Sequence, residues 1–170
     1  MDAGIIVKTV VYDRLCRTVA DMVAAAKRCG ALLEHPTPPD MDELANVRWA
    51  LARAILEHLS FKGKYIFDAL EKDDDPRVRT KAKVLRESQQ ALHEGMHKQM
   101  TIWSRAAVEA DWNGFRKAGL AQHKILADRI ALEERELHPM VYRAESRTDA
   151  SSSHNWARIA WEIRDSVYNG

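Results

Sequence analysis

Helix-breaking residues are scarce in this chain of 170 residues, with five prolines and seven glycines. Four of the prolines fall in polar clusters at 35–39 and 72–76, which leaves long stretches free to be helical. No alternation of apolar and polar residues flanked by turn signals survives inspection, which excludes a strand-built fold. Only two cysteines are present, Cys16 and Cys29. On one helix their separation of thirteen residues is about 20 Å, beyond disulfide reach, so both read as buried thiols in a reducing compartment. No run of eighteen apolar residues exists, which argues against a spanning helix. The opening residues 1–12 carry Lys8 among the apolar ones and no small-residue cleavage site, so no signal peptide is expected and the cytoplasm is the expected address. Charge of one sign is also missing: the formal net charge is +1, which supports neither nucleic acid nor an anionic membrane as partner. A Gly-rich phosphate loop, a Cys-x-x-Cys pair and a nucleophile set beside a base are all absent, and Asp73-Asp74-Asp75 reads as a solvated turn without the spaced ligands of a calcium loop.

What is present is helical periodicity. Val11, Leu15, Thr18, Met22, Ala25, Cys29 and Leu32 recur in steps of three and four, predicting a first helix over 7–34. Asp40 with Glu43 resembles a capping box opening a second helix over 41–71, whose inner face is Leu44, Val47, Leu51, Ile55, His58, Lys62, Tyr65 and Ala69. Asp75-Pro76 starts a third, running to about residue 110, with Ala82, Leu85, Gln89, His93, Met96, Met100 and Trp103 inward. After the junction 111–114, a fourth helix carries Phe115, Ala118, Gln122, Ile125, Arg129, Leu132, Glu133, Leu137 and Met140 inward, and Pro139 is expected to kink or end it. A polar linker, 146–153, precedes a short amphipathic C-terminal helix. The expected fold is all-α: an antiparallel up-down four-helix bundle over 1–145, followed by linker and helix over 146–170.

Three histidines interrupt apolar faces: His58, and His93 with His97 one turn apart. His35, His123, His138 and His154 read as loop or surface residues. The segment 56–70 around His58, the His93/His97 pair, and the segment 126–139 with its acidic pair Glu133-Glu134 and its Pro139 resemble the hemerythrin-like family, also described as the HHE cation-binding domain. That resemblance spans roughly 7–139. It implies a four-helix bundle holding a non-haem di-iron centre.

The departures from the family pattern carry as much information as the matches. His58, His93, His97 and Glu133 keep ligand-type residues, but Arg14 and Arg129 stand where the resemblance implies histidine ligands, and Lys62 where it implies a bridging glutamate. A guanidinium is permanently charged and has no lone pair for a metal, so the full ligand set cannot form. The three replacements together add four positive charges, as many as two divalent ions carry. One expectation is therefore a metal-free vestigial site lined by Arg14, His58, Lys62, His93, His97, Arg129 and Glu133, in which the new cations substitute for the metal. Its alternative is that these long side chains reach out to solvent.

For function, the expectation is a non-catalytic hemerythrin-like protein without cofactor, sensing an unspecified small molecule or engaging a protein partner. The alternative is an iron or zinc protein using His58, His93, His97 and Glu133 to handle oxygen, nitric oxide or redox chemistry. The C-terminal stripe of Trp156, Ile159, Ala160, Ile163 and Val167 needs covering, either by its own chain or by a second subunit. Trp161, off that stripe, tips the expectation toward a homodimer, with Trp156, Ile159, Trp161 and Ile163 as interface candidates.

Overall fold

The computed structural model describes residues 9–147 and 153–168, and among these every regular element is helical. The helices are α1 (Val10–Leu33), α2 (Met41–Phe61), a π-helical segment (Lys62–Phe67), α3 (Asp68–Leu70), α4 (Pro76–Ile102), α5 (Arg105–Ala110), α6 (Trp112–Ser146) and α7 (Ser153–Tyr168). Residues 7 and 8 of the expected first helix and 148–152 of the expected linker lie outside the described residues, as do the side chains of His154 and Val167.

Local chemistry starts most of these helices. The Asp40 carboxylate accepts the backbone N–H of Asp42 and Glu43 at α2, Asp75 accepts from Arg77 ahead of α4, and Asp111 accepts from Gly114 at α6. The α1 terminus is served from a distance: Thr9 makes no side-chain cap, and Glu145 of α6 takes the N–H groups of Val11 and Tyr12 at 2.8 and 2.9 Å.

Several boundaries differ from expectation. The third helix breaks after Ile102, because the Ser104 side chain accepts the Ala107 N–H and starts α5 as a separate helix. Pro139 does not end α6, which continues to Ser146; Leu137, Val141 and Ala144 stay buried on either side of it and hold the helix down. The π-helical segment widens the turn after Phe61, so that Ile66 and Phe67 are fully buried while Tyr65 is only half-buried. Leu126 rather than Ile125 faces inward on α6. Asp73 is buried, not solvated: it accepts the Asp75 N–H and pairs with Arg147 at 3.2 Å. His138 is buried too, edge-on to Tyr12.

Helix α1 packs against both α2 and α6, α4 lies along α6 and α2, and α7 crosses α1 and α6. Trp156, Ile159 and Ile163 join Val11, Leu15, Phe61, Ile66, Phe67, Leu137 and Val141 in the largest apolar cluster. The expected interface residues are placed differently from expectation. Three of the four candidate side chains are covered by their own chain, because the α7 stripe meets an apolar surface already formed by α1, the π-helical segment and α6; Trp161 alone stays outside, 67% exposed.

Candidate functional site

The Glu133 carboxylate on α6 is among the most deeply buried polar groups of the described residues. Three helical elements aim donors at it. His58 comes from the last turn of α2, Lys62 from the first position of the π-helical segment, and Arg129 from one turn earlier on α6 itself. His58 Nε2 lies 2.8 Å from Glu133 Oε2, while the Lys62 ammonium and Arg129 Nε, the latter at 2.9 Å, both donate to Oε1. The far end of the Arg129 guanidinium donates to the Ser88 hydroxyl and, at 2.9 Å, to the Leu85 carbonyl on α4. Lys62, His58 and Glu133 are each 1% exposed or less.

Proton positions follow from the partners. A carboxylate only accepts, so His58 Nε2 carries hydrogen. Its other nitrogen, Nδ1, sits 2.8 Å from Thr18 Oγ1, and Thr18 is itself 2.9 Å from the Leu15 carbonyl. Thr18 has one hydrogen for two acceptors. If it goes to Leu15, the imidazole must be doubly protonated; if it goes to Nδ1, the ring is neutral. Burial, opposed by the hydrogen bond to Glu133, holds the His58 pKa below its ordinary value, so the neutral ring with Thr18 donating to Nδ1 is the resting arrangement.

The charges do not balance. One carboxylate faces two cations, leaving an excess of one positive charge in a dry region. Burial would raise the Glu133 pKa, but the His58 hydrogen bond and the Lys62 charge outweigh it and hold the carboxyl far below the usual range. Lys62 bears the opposite consequence: burial pushes its ammonium down to about 8, against the pull of Glu133. The asymmetry has a structural cause, since Glu133 receives three donors whereas Lys62, with three N–H groups, finds a single acceptor among the described residues.

The remaining candidates from the sequence lie elsewhere. Arg14 turns to the side and pairs with Glu57 at 2.7 Å, partly in solvent, because α1 presents Leu15 and Thr18 to the core at that level. His93 and His97 are exposed. The inward line of α4 runs through Leu85, Gln89, Leu92 and Met96, a 3.6-residue period that leaves both histidines outside. Thr18 and Ser88, which complete the network, were not among the expected site residues. The only sequence signal for Thr18 is a hydroxyl interrupting an apolar stripe.

Nothing in the comparisons assigns the site. No family model, no curated protein and no solved structure matches this chain.

The fit to a metal can be judged on the donor set alone. Among the described residues no group of three or more His, Cys, Asp or Glu is placed to hold an ion. Of the four side chains that meet at Glu133, only its own carboxylate and the His58 ring are of the type that zinc or non-haem iron takes as ligand. Both Glu133 oxygens are engaged by protein donors, and two ligands fall short of the three or four that a zinc or non-haem iron site uses. The residues present do not fit a metal centre. Their chemistry is that of an internal ion cluster crosslinking α1, α2, α4 and α6.

Proposed function

We propose that this chain is a hemerythrin-like protein whose long helices form an antiparallel four-helix bundle, in which the di-iron centre has been replaced by an internal ion cluster. The single observation that carries the reading is the saturation of Glu133: Lys62 and Arg129 occupy one oxygen, and His58 the other. Two side-chain cations thus take the place of metal charge, where the sequence resemblance implies a glutamate at Lys62 and a histidine at Arg129. Arg14 takes no part. A cluster closed in this way offers no exchangeable coordination position for oxygen and no redox couple. The role that fits such a closed cluster is binding, with the helices serving as a scaffold for a small molecule.

The test reverses the replacement. Lys62→Glu combined with Arg129→His puts four ligand-type side chains, with His58 and Glu133, around one point. After anaerobic loading with ferrous iron and desalting, the double variant is expected to retain iron that the parent does not. A folded double variant that takes up no more iron than the parent would show that these positions do not correspond to a former metal site.

A further inference from the structure

The core is open away from the Glu133 cluster, and the opening has a structural cause. Helices α1 and α6 meet closely at Gly119, where a Cβ would come within 2.7 Å of Leu33 Cδ1, so no side chain separates them there. Helix α4 does not follow. Its buried residues, Ala82 and Leu85, both lie in its first half, and from Leu92 onward its inward side chains are only half-buried. The space left is a cavity of about 110 Å³, walled by Leu51, Ile55, Met96, Met100, Phe115 and Leu126. Two of these are methionines, whose flexible thioethers adapt to a guest.

Arg48 of α2 lines the same cavity. Its guanidinium is stacked 5.0 Å from the centre of the Phe115 ring, donates to the Trp103 carbonyl at 2.8 Å, and contacts Met100 Sδ at 3.7 Å. Among the described residues no carboxylate pairs with it. Arg79 and Arg116 are likewise half-buried without a carboxylate and donate to backbone carbonyls; Arg48 differs from them in lining the cavity. A half-buried cation with unused donors at the edge of an apolar cavity is complementary to a molecule with an anionic head and an apolar body. A planar carboxylate matches the guanidinium fork. This cavity is smaller than the dry one of about 150 Å³ that accepts benzene, but it opens to solvent, so its guest is no larger than one ring or a short aliphatic chain with the polar end at the mouth beside Arg48.

We propose that this cavity binds a small monocarboxylate with an apolar body, of the size of benzoate or hexanoate, its carboxylate on Arg48 and its body against Leu51, Ile55 and Met96. The inference deepens the proposed binding role and rests on it, but it does not depend on the state of the Glu133 cluster, and the iron-loading test and the test below fail independently.

The experiment is calorimetric titration of the full chain with benzoate and hexanoate, and with the neutral analogues benzyl alcohol and hexanol. Saturable binding of an acid at one per chain, at least tenfold tighter than its alcohol, is expected. Arg48→Met, which keeps apolar bulk, should remove at least tenfold from the acid and leave the alcohol unchanged. Leu51→Trp, which fills the cavity, should weaken both. Failure of both acids to bind overturns the proposal. So does equal binding of acid and alcohol, which would make the cavity a purely apolar site. The acid-to-alcohol ratio uses the unaltered protein, so the proposal stays refutable even if a variant fails to fold.

Discussion

Toward the end of the core where α7 completes the apolar packing, Lys62 and Arg129 share the Glu133 carboxylate; at the other, Arg48 reaches an open cavity with a carbonyl and a thioether for partners. The two regions use the same helices and differ in how a cation withdrawn from water is compensated. In the first, every oxygen of the acceptor is engaged and the surroundings are packed with apolar side chains. In the second, compensation is partial, packing is incomplete, and donors remain unused. A cluster whose cations share a buried carboxylate locks helices together, whereas a cation with no carboxylate beside a cavity has affinity to spare.

The largest effect is expected from removing what covers the closed end. Truncation after Asp149 takes away Trp156, Ile159 and Ile163, each worth about 1.5–3 kcal/mol when buried. Urea unfolding of the truncated chain should show a loss on the order of 5 kcal/mol, while mass by light scattering stays that of the full-length state less the deleted segment. A change in subunit number with little loss of stability would return α7 to the role of an interface.

Next comes the acceptor itself. Glu133→Gln leaves two cations without a counter-charge and should cost roughly 3–5 kcal/mol in the same measurement. An effect below about 1 kcal/mol would mean that the Lys62 and Arg129 side chains find water, and the contrast between the two ends would collapse.

The alkaline limb of the stability profile isolates Lys62. Its folded pKa of about 8 lies below the ordinary 10.5, so between these values the unfolded chain binds a proton that the folded chain has released. Stability from this group is therefore reduced below pH 8 and rises from pH 8 to 10.5, by roughly 3 kcal/mol. Cys29, whose thiol pKa is raised by burial, works in the opposite direction over the same range, so the reading is the difference between the parent and Lys62→Met. Parallel profiles for the two proteins would deny the burial penalty on Lys62. On the acid side the sign reverses for Glu133. Its depressed pKa adds stability that is full above the unfolded value of about 4.5 and is lost as pH falls through that value toward the folded one.

The smallest effect belongs to the open end. Arg48→Met gives up the hydrogen bond to the Trp103 carbonyl, the contact to Met100 Sδ and the stacking on Phe115, but no ion pair, so its cost should be about 1–2 kcal/mol. A loss as large as that of Glu133→Gln would mean that Arg48 is a structural cation like the others.

The parts of this architecture legible in the sequence are those set by nearby residues. Asp40 and Asp75 cap the helices they precede, and the stripe from Val11 to Cys29 faces inward as its spacing implies. What escaped the sequence depends on distant partners or on small changes of phase. The Glu145 cap of α1 joins residues more than 130 positions apart. Counting in steps of four from Leu85 puts His93 inward, whereas steps of four and three lead to Leu92, the half-buried residue. The widened turn at Lys62 is not marked by any residue type, yet it decides that Ile66 and Phe67 are buried in place of Tyr65. His58, Lys62, Arg129 and Glu133 meet because each interrupts an apolar stripe at the same depth. Arg14 does not, since the long side chain one step off its stripe finds Glu57 first.

Elemental analysis of iron and zinc tests most directly the proposal that cations of the chain take the place of metal charge at Glu133. Protein purified without chelator, and again after anaerobic loading with ferrous iron and desalting, should carry well under one metal ion per chain and lack oxo-bridged di-iron absorption in the near ultraviolet. Two iron atoms per chain after loading would contradict it.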